Sequence, residues 1–233
     1  MDRSIPPAAA LILNFIRATE VGTDARSGYD VIYANRQNKL IKPITEMSIL
    51  QLQQGQATRW NGLVKSSASG GYQFMYKTLG GLIEELRLNV NQKFSPDLQD
   101  RLGWHLLKRR GYEKWSAGNL SDITFGKKLA QEWASFPVLK STQGSKRRVG
   151  RGQSYYAGDG LNKALVSAAR IETLLADAKH LMGTGTVVPP PPDLEKPPSL
   201  PPQKPTGSKA KALGFLGLLT GLIAAGIAIW SKM

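Results

Sequence analysis

Residues 11–33 read LILNFIRATEVGTDARSGYDVIY. Pro6 and Pro7 suit a helix start, since proline is tolerated at the first helical position. A mostly apolar helix is therefore expected over Ala8–Glu20, ended by Gly22. A polar loop then leads to Tyr29–Tyr33, a short apolar run. With Asn38–Ile41 and the intervening Ala34-Asn35-Arg36-Gln37, it reads as a small β-hairpin closed by Pro43. The position of Glu20 sets the chemistry. A carboxylate at the end of an apolar helix, beside a glycine-containing loop, loses part of its hydration. Desolvation raises its pKa toward the range where it can donate a proton near neutrality.

Outward from this stretch the pattern is mainly helical. A helix over roughly 46–58 is expected with Thr45 as N-cap, and Ser66–Gly71 is a small-residue loop. A helix over Tyr72–Leu88 is weakened by Gly80-Gly81. Ser95-Pro96-Asp97 combines an N-cap, a first-position proline and a first-turn acid, and opens a helix to Arg110, before Gly111. Ser121-Asp122 opens another, ending near Phe136-Pro137. Residues 138–159 form a basic, glycine-containing loop, and Leu161–Met182 is the last helix of the domain. The sum is an α+β domain dominated by about six helices with one hairpin.

The domain spans residues 1–182. Residues 183–212, rich in Pro, Gly and Lys, read as a semi-rigid extended linker. Residues 213–230, LGFLGLLTGLIAAGIAIW, carry no charge. As a helix they would measure about 27 Å, close to the hydrocarbon thickness of a bilayer, so a C-terminal transmembrane helix is expected. Lys209 and Lys211 precede it and Trp230 and Lys232 lie at its other end, as at membrane interfaces. Gly217 and Gly221 form a GxxxG that suits helix–helix pairing.

The net charge is +14. Most of it belongs to the domain, since residues 183–233 hold five lysines against Asp193 and Glu195. Such a charge points to a polyanionic partner. No basic helix with interleaved aromatics accompanies it, so no specific nucleic acid is expected. The densest basic cluster, Lys146, Arg147, Arg148 and Arg151, suits a solvated loop or adhesion to an anionic wall or membrane. The absence of cysteine excludes disulfides and thiolate zinc sites. His105 and His180 lack partners at metal-ligand spacing, so neither a metal nor a cofactor is expected. The opening MDRSIPP does not read as a cleaved secretory signal.

Four separated stretches align with one family. TEVGTDARSGYDVIY (19–33), SGGYQF (69–74), FSPDLQD (94–100) with a later RRG, and EWASFP (132–137) resemble the lambda-type phage endolysins in order and spacing. The resemblance covers residues 10–180. It implies a lysozyme-like fold and a peptidoglycan lytic transglycosylase. Such an enzyme cuts the β-1,4 bond between N-acetylmuramic acid and N-acetylglucosamine and leaves a 1,6-anhydro end, with the glycan strands as partner. It carries the catalytic acid over to Glu20. It implies substrate contacts at Tyr29 and Asp30, at Gly70, Gly71, Tyr72 and Gln73, and at Tyr155 and Tyr156. The family more often has a basic residue where Gly71 stands, so one polar contact is expected to be missing.

Other readings stay open here. Asp30 also suits loop ordering through backbone N–H groups. If Asp24 or Asp30 faced Glu20, a water-using muramidase would follow. Tyr72 also suits helix-start packing, and Trp133 suits a core anchor. With no cleaved signal and a C-terminal span, the domain is expected on the cytoplasmic side of the host inner membrane, latent until the membrane is breached. A virion membrane enzyme for entry, or an inactive wall-binding tether, is the alternative.

Overall fold

The computed structural model describes residues 1–23 and 25–184. Seven α-helices, several short 3-10 turns and one two-stranded sheet make up these residues. Helix α1 (Pro7–Val21) begins on Pro7 and ends at Gly22, whose φ of 74° lets its N–H reach the Ala18 carbonyl. The apolar residues Ile12, Leu13 and Ile16, spaced to share one helical face, are fully buried. They make α1 the central helix, packed against α4 (Pro96–Arg109) and α7 (Ala168–Thr184). Leu98, Leu102 and Leu106 supply the buried stripe of α4, and Ile171, Leu175 and Ala178 that of α7. Truncating one such leucine to alanine costs about 2–5 kcal/mol.

Between these lie α2 (Ile49–Ala57), α3 (Tyr76–Glu85), α5 (Tyr112–Ser116) and α6 (Asp122–Glu132). Ser95 and Ser121 cap α4 and α6 as expected, each accepting the N–H three residues on. The α5–α6 corner is aromatic, with Trp115 stacked on Phe125 at 4.7 Å.

Several boundaries differ from expectation. The cap of α2 is Ser48, in a reciprocal capping box with Gln51; Thr45 lies in a 3-10 turn, Ile44–Glu46. Helix α3 starts at Tyr76, four residues late, because Gly70 and Gln73 take left-handed φ of 78° and 50°. Ser69 and Phe74 exchange both backbone hydrogen bonds across that turn. Helix α6 stops at Glu132, so WASFP is a turn, and α7 starts at Ala168.

The hairpin is not at 29–41. Arg26–Asp30, Tyr33–Asn35 and Gln37–Lys39 are 3-10 turns, since Ala34 and Asn35 take left-handed φ of 60° and 55° and curl the chain. Ile32 instead bridges to Ser69, and Gly70 donates to the Val31 carbonyl. The two-stranded antiparallel sheet is β1 (Thr142–Gln143) with β2 (Arg148–Val149), inside the expected basic loop, with Thr142 opposite Val149. Its turn carries Lys146 and Arg147 into solvent. Residues 59–61 are unusual: Arg59, Trp60 and Asn61 all take φ near 50°, a conformation that costs non-glycine residues about 1–2 kcal/mol each.

Among the described residues no helix is long and apolar enough to cross a membrane. The expected span 213–230, its Gly217–Gly221 pair, the linker from residue 185 and Asp24 lie outside the described residues.

Candidate active site

Glu20 occupies the last turn of α1, where the helix leaves the core. Its nearest polar partner comes from the far end of the domain. Ser135 donates its hydroxyl to Glu20 Oε1 at 2.5 Å. Ser135 sits in the WASFP turn, whose Trp133 and Phe136 are both buried. Phe136 meets Phe15 of α1 edge to face, with centroids 5.8 Å apart, so the same turn is clamped to the helix that carries the acid. The Leu165 N–H closes the arrangement by donating to the Ser135 carbonyl at 2.8 Å.

Burial dominates the electrostatics. It pushes the Glu20 carboxyl from its ordinary 4.5 up to about 7, against the opposing pull of the Ser135 hydroxyl, which favours the carboxylate. Near neutrality the group exchanges between acid and base, as a proton donor and acceptor in one cycle requires.

A second polar layer lies beneath. Asp100, on α4, is fully buried. Its Oδ1 accepts the hydroxyls of Tyr29 and Tyr72, each at 2.7 Å. Arg17, one turn before Glu20 on α1, donates to the Tyr29 hydroxyl and stacks over its ring at 4.4 Å. It lies 3.7 Å from Asp100 Oδ1. Asp100 also accepts the Asp2 N–H at 2.8 Å. Burial and the Asp100 carboxylate push both tyrosine hydroxyls up from their usual range, so they remain donors. The neighbouring Gln99, equally buried, binds three main-chain groups. It accepts the Gly71 N–H at 2.9 Å and donates to the carbonyls of Tyr29 and Phe94. One turn of α4 thus pins the 29–31 segment and the 70–73 turn together.

Several of the expected substrate contacts lie inside the fold. Tyr29 and Tyr72 are only 3% and 2% exposed, and their hydroxyls serve Asp100, so both are internal struts and not cleft surfaces. Gly70 and Gly71 are buried too. A Cβ on Gly71 would come 2.7 Å from Arg17 Cδ, and one on Gly70 would come 2.4 Å from Gln99 Oε1. The space of a side chain at 71 is therefore filled by Arg17, a cation reaching it from α1. Gln73 is half-buried and donates to the Gly70 carbonyl at 2.9 Å. Asp30 accepts the Thr45 N–H at 3.0 Å, which orders the loop.

Tyr155 and Tyr156 are half-buried beside the WASFP turn. Pro137 bridges to Ser154, and Ser154 donates to the Ala134 carbonyl at 2.8 Å. The Tyr156 hydroxyl is committed to the Gln131 carbonyl at 2.6 Å, while the Tyr155 ring meets Tyr156 edge-on at 5.2 Å. Sequence reasoning missed Ser135, Arg17, Gln99 and Asp100. Ser135 stood inside EWASFP as a polar residue between aromatics. Asp100 stood at the end of FSPDLQD, but an acid in the second turn of a capped helix reads as solvated.

Among the described residues no group of three acids or histidines is placed to hold a metal. No curated protein matches the chain. One solved structure, bacteriophage lambda lysozyme complexed with a chitohexasaccharide, aligns with 75% of this chain and 95% of its own, at 19% identity and a TM-score of 0.45. The endolysin family model matches residues 10–160, from the helix that bears Glu20 through the loop of Tyr155 and Tyr156. The chain belongs to the endolysin family, phage enzymes that degrade the bacterial cell wall.

Proposed function

We propose that the protein is a peptidoglycan lytic transglycosylase with Glu20 as its one catalytic acid and base. The observation that carries this reading is the state of that carboxyl. It is desolvated, held near neutrality, hydrogen-bonded by Ser135, and influenced by no second acid among the described residues. Protonated Glu20 gives its proton to the glycosidic oxygen as the bond from C1 of N-acetylmuramic acid breaks. N-acetylglucosamine leaves with its 4-hydroxyl restored. The 6-hydroxyl oxygen of the same muramic residue attacks C1, and its proton returns to the Glu20 carboxylate. The enzyme emerges unchanged, no water is consumed, and the product ends in a 1,6-anhydro ring. A tethered nucleophile has a high effective concentration, so no second carboxylate is needed to hold a water. Two-carboxylate glycosidases meet that need differently.

The test is digestion of purified peptidoglycan by the full chain and by Glu20→Gln, with mass spectrometry of the fragments. Anhydro ends that vanish in the variant support the assignment. Reducing ends carrying a solvent oxygen would replace it with a hydrolytic muramidase and make Asp24 or Asp30 the next variant. A folded protein yielding no fragments would leave a wall-binding tether.

The location rests on sequence alone. A charge-free run at 213–230 flanked by Lys209, Lys211 and Lys232 supports a membrane tether that leaves the domain cytoplasmic. Recovery of the full chain in the soluble fraction of host cells would exclude it.

A further inference from the structure

The reaction proposed above leaves one groove unused. It encloses about 480 Å³ between the Lys39–Lys42 segment and the stretch from Gln51 in α2 to Leu63. Leu40, Met47, Trp60 and Leu63 give it apolar lining. The amides of Gln51, Gln54 and Asn61 interrupt that lining. Lys39 is exposed and Lys42 half-buried, with Lys42 donating to Gln51 Oε1 at 3.0 Å. No ion pair among the described residues involves either lysine. Between them Ile41 is 99% exposed.

Trp60 is held there at a cost. It stands in the run of three left-handed residues, and its ring lies so close over Gly55 that a Cβ would come 2.1 Å from Cζ3. Its buried indole Nε1 has no acceptor among the described residues. Backbone strain and an unpaired buried donor together at a groove are what a binding site retains and a purely structural turn sheds.

We propose that this groove binds the short acidic peptide borne by the wall's glycan strands, an inference resting on the reading that this polymer is the substrate. The Lys39 and Lys42 ammonium groups, neither in an ion pair among the described residues, match peptide carboxylates. The side-chain amides of Gln54 and Asn61 match the N–H and C=O groups of an extended peptide, and the apolar lining suits small methyl side chains. A lipid acyl chain would leave those amides unpaired, which disfavours a membrane surface.

The experiment titrates the full chain with purified wall tetrapeptide, with uncharged N-acetyl tetra-alanine amide, and with phosphatidylglycerol vesicles. The same protein then digests peptide-bearing peptidoglycan and peptide-free glycan strands. Saturable binding of the wall tetrapeptide alone is expected, weakened at least about tenfold in Lys39→Glu/Lys42→Glu. The double variant should raise KM on peptide-bearing wall and cleave peptide-free strands at the wild-type rate. Lys39→Gln/Lys42→Gln, which removes the two charges without reversing them, should bind with an intermediate loss. The assignment is overturned if the wild type ignores the tetrapeptide, if the variants bind it equally, or if the vesicles bind in its place. Because the titration needs no turnover, a chain that cleaves nothing still reports on the groove.

Discussion

Ser135 and Glu20 stand 115 positions apart in the chain and 2.5 Å apart in the fold. The serine is the only hydrogen-bonding group among the described residues that offsets the effect of burial on the acid. The bond moderates the rise in proton affinity that burial causes.

Glu20→Gln keeps the shape and removes the proton. Loss of general acid and base function should lower kcat by about 10²–10⁴-fold. Melting temperature should stay the same or rise, since a desolvated acid is replaced by a neutral amide. A matched pair of melting curves and wall-digestion rates checks both halves.

The activity should have an alkaline limb near pH 7, where the acid loses its proton. Stability should follow the same group. Its folded pKa lies above the ordinary 4.5, so between those values the folded state holds more protons than the unfolded state. Stability from this group is therefore full below 4.5 and falls as pH rises through 7. The total loss is at most about 3 kcal/mol, less where solvent reaches the side chain. Urea unfolding at pH 4.5 and 8 should show that slope, and Glu20→Gln should flatten it.

Ser135→Ala removes the donor that favours the carboxylate. The alkaline limb should move upward in pH. The rate at its optimum should drop by about tenfold, the scale of one hydrogen bond to a charged group. A rate–pH profile identical to the wild type would remove Ser135 from the site.

Asp100→Asn removes a fully buried carboxylate that faces the Arg17 guanidinium and weakens the acceptor shared by two tyrosines. Breaking a buried pair costs about 3–5 kcal/mol. For a domain of this size the melting temperature should fall by roughly 10 °C. Differential scanning calorimetry decides it.

Gly71→Ala should destabilise by about 1–3 kcal/mol, because the new methyl meets Arg17 Cδ at 2.7 Å. The companion Gly71→Ala/Arg17→Ala relieves the clash but empties the cation's place. It should not restore wild-type stability, and a double-mutant cycle by urea unfolding measures the difference.

What was legible in the sequence was local. Pro7, Ser95 and Ser121 announced three helix starts, and Gly22 announced a stop, because caps and breakers act on neighbouring residues. The end-of-helix position of Glu20 was readable for the same reason. The hairpin was misplaced because Ala34 takes a left-handed conformation that its residue type does not favour, and with Asn35, which tolerates it, curls the chain. Tyr29 and Tyr72 sat in recognisable motifs, yet their burial depends on Asp100, 71 and 28 positions away. A pairing of that range leaves no periodic trace in the chain.

The packing of α1 against α7 bears on when, during synthesis, the site takes shape. The helix carrying the acid emerges first from the ribosome, while the helix that buries it emerges last in the domain. Until Ile171 and Leu175 are synthesised, α1 lacks the partner that covers its apolar face, and until Ser135 is synthesised Glu20 lacks its hydrogen-bond donor. A chain that stops before α7 therefore lacks the packing that fixes the helix bearing Glu20, and the site is assembled only when translation of the domain is complete.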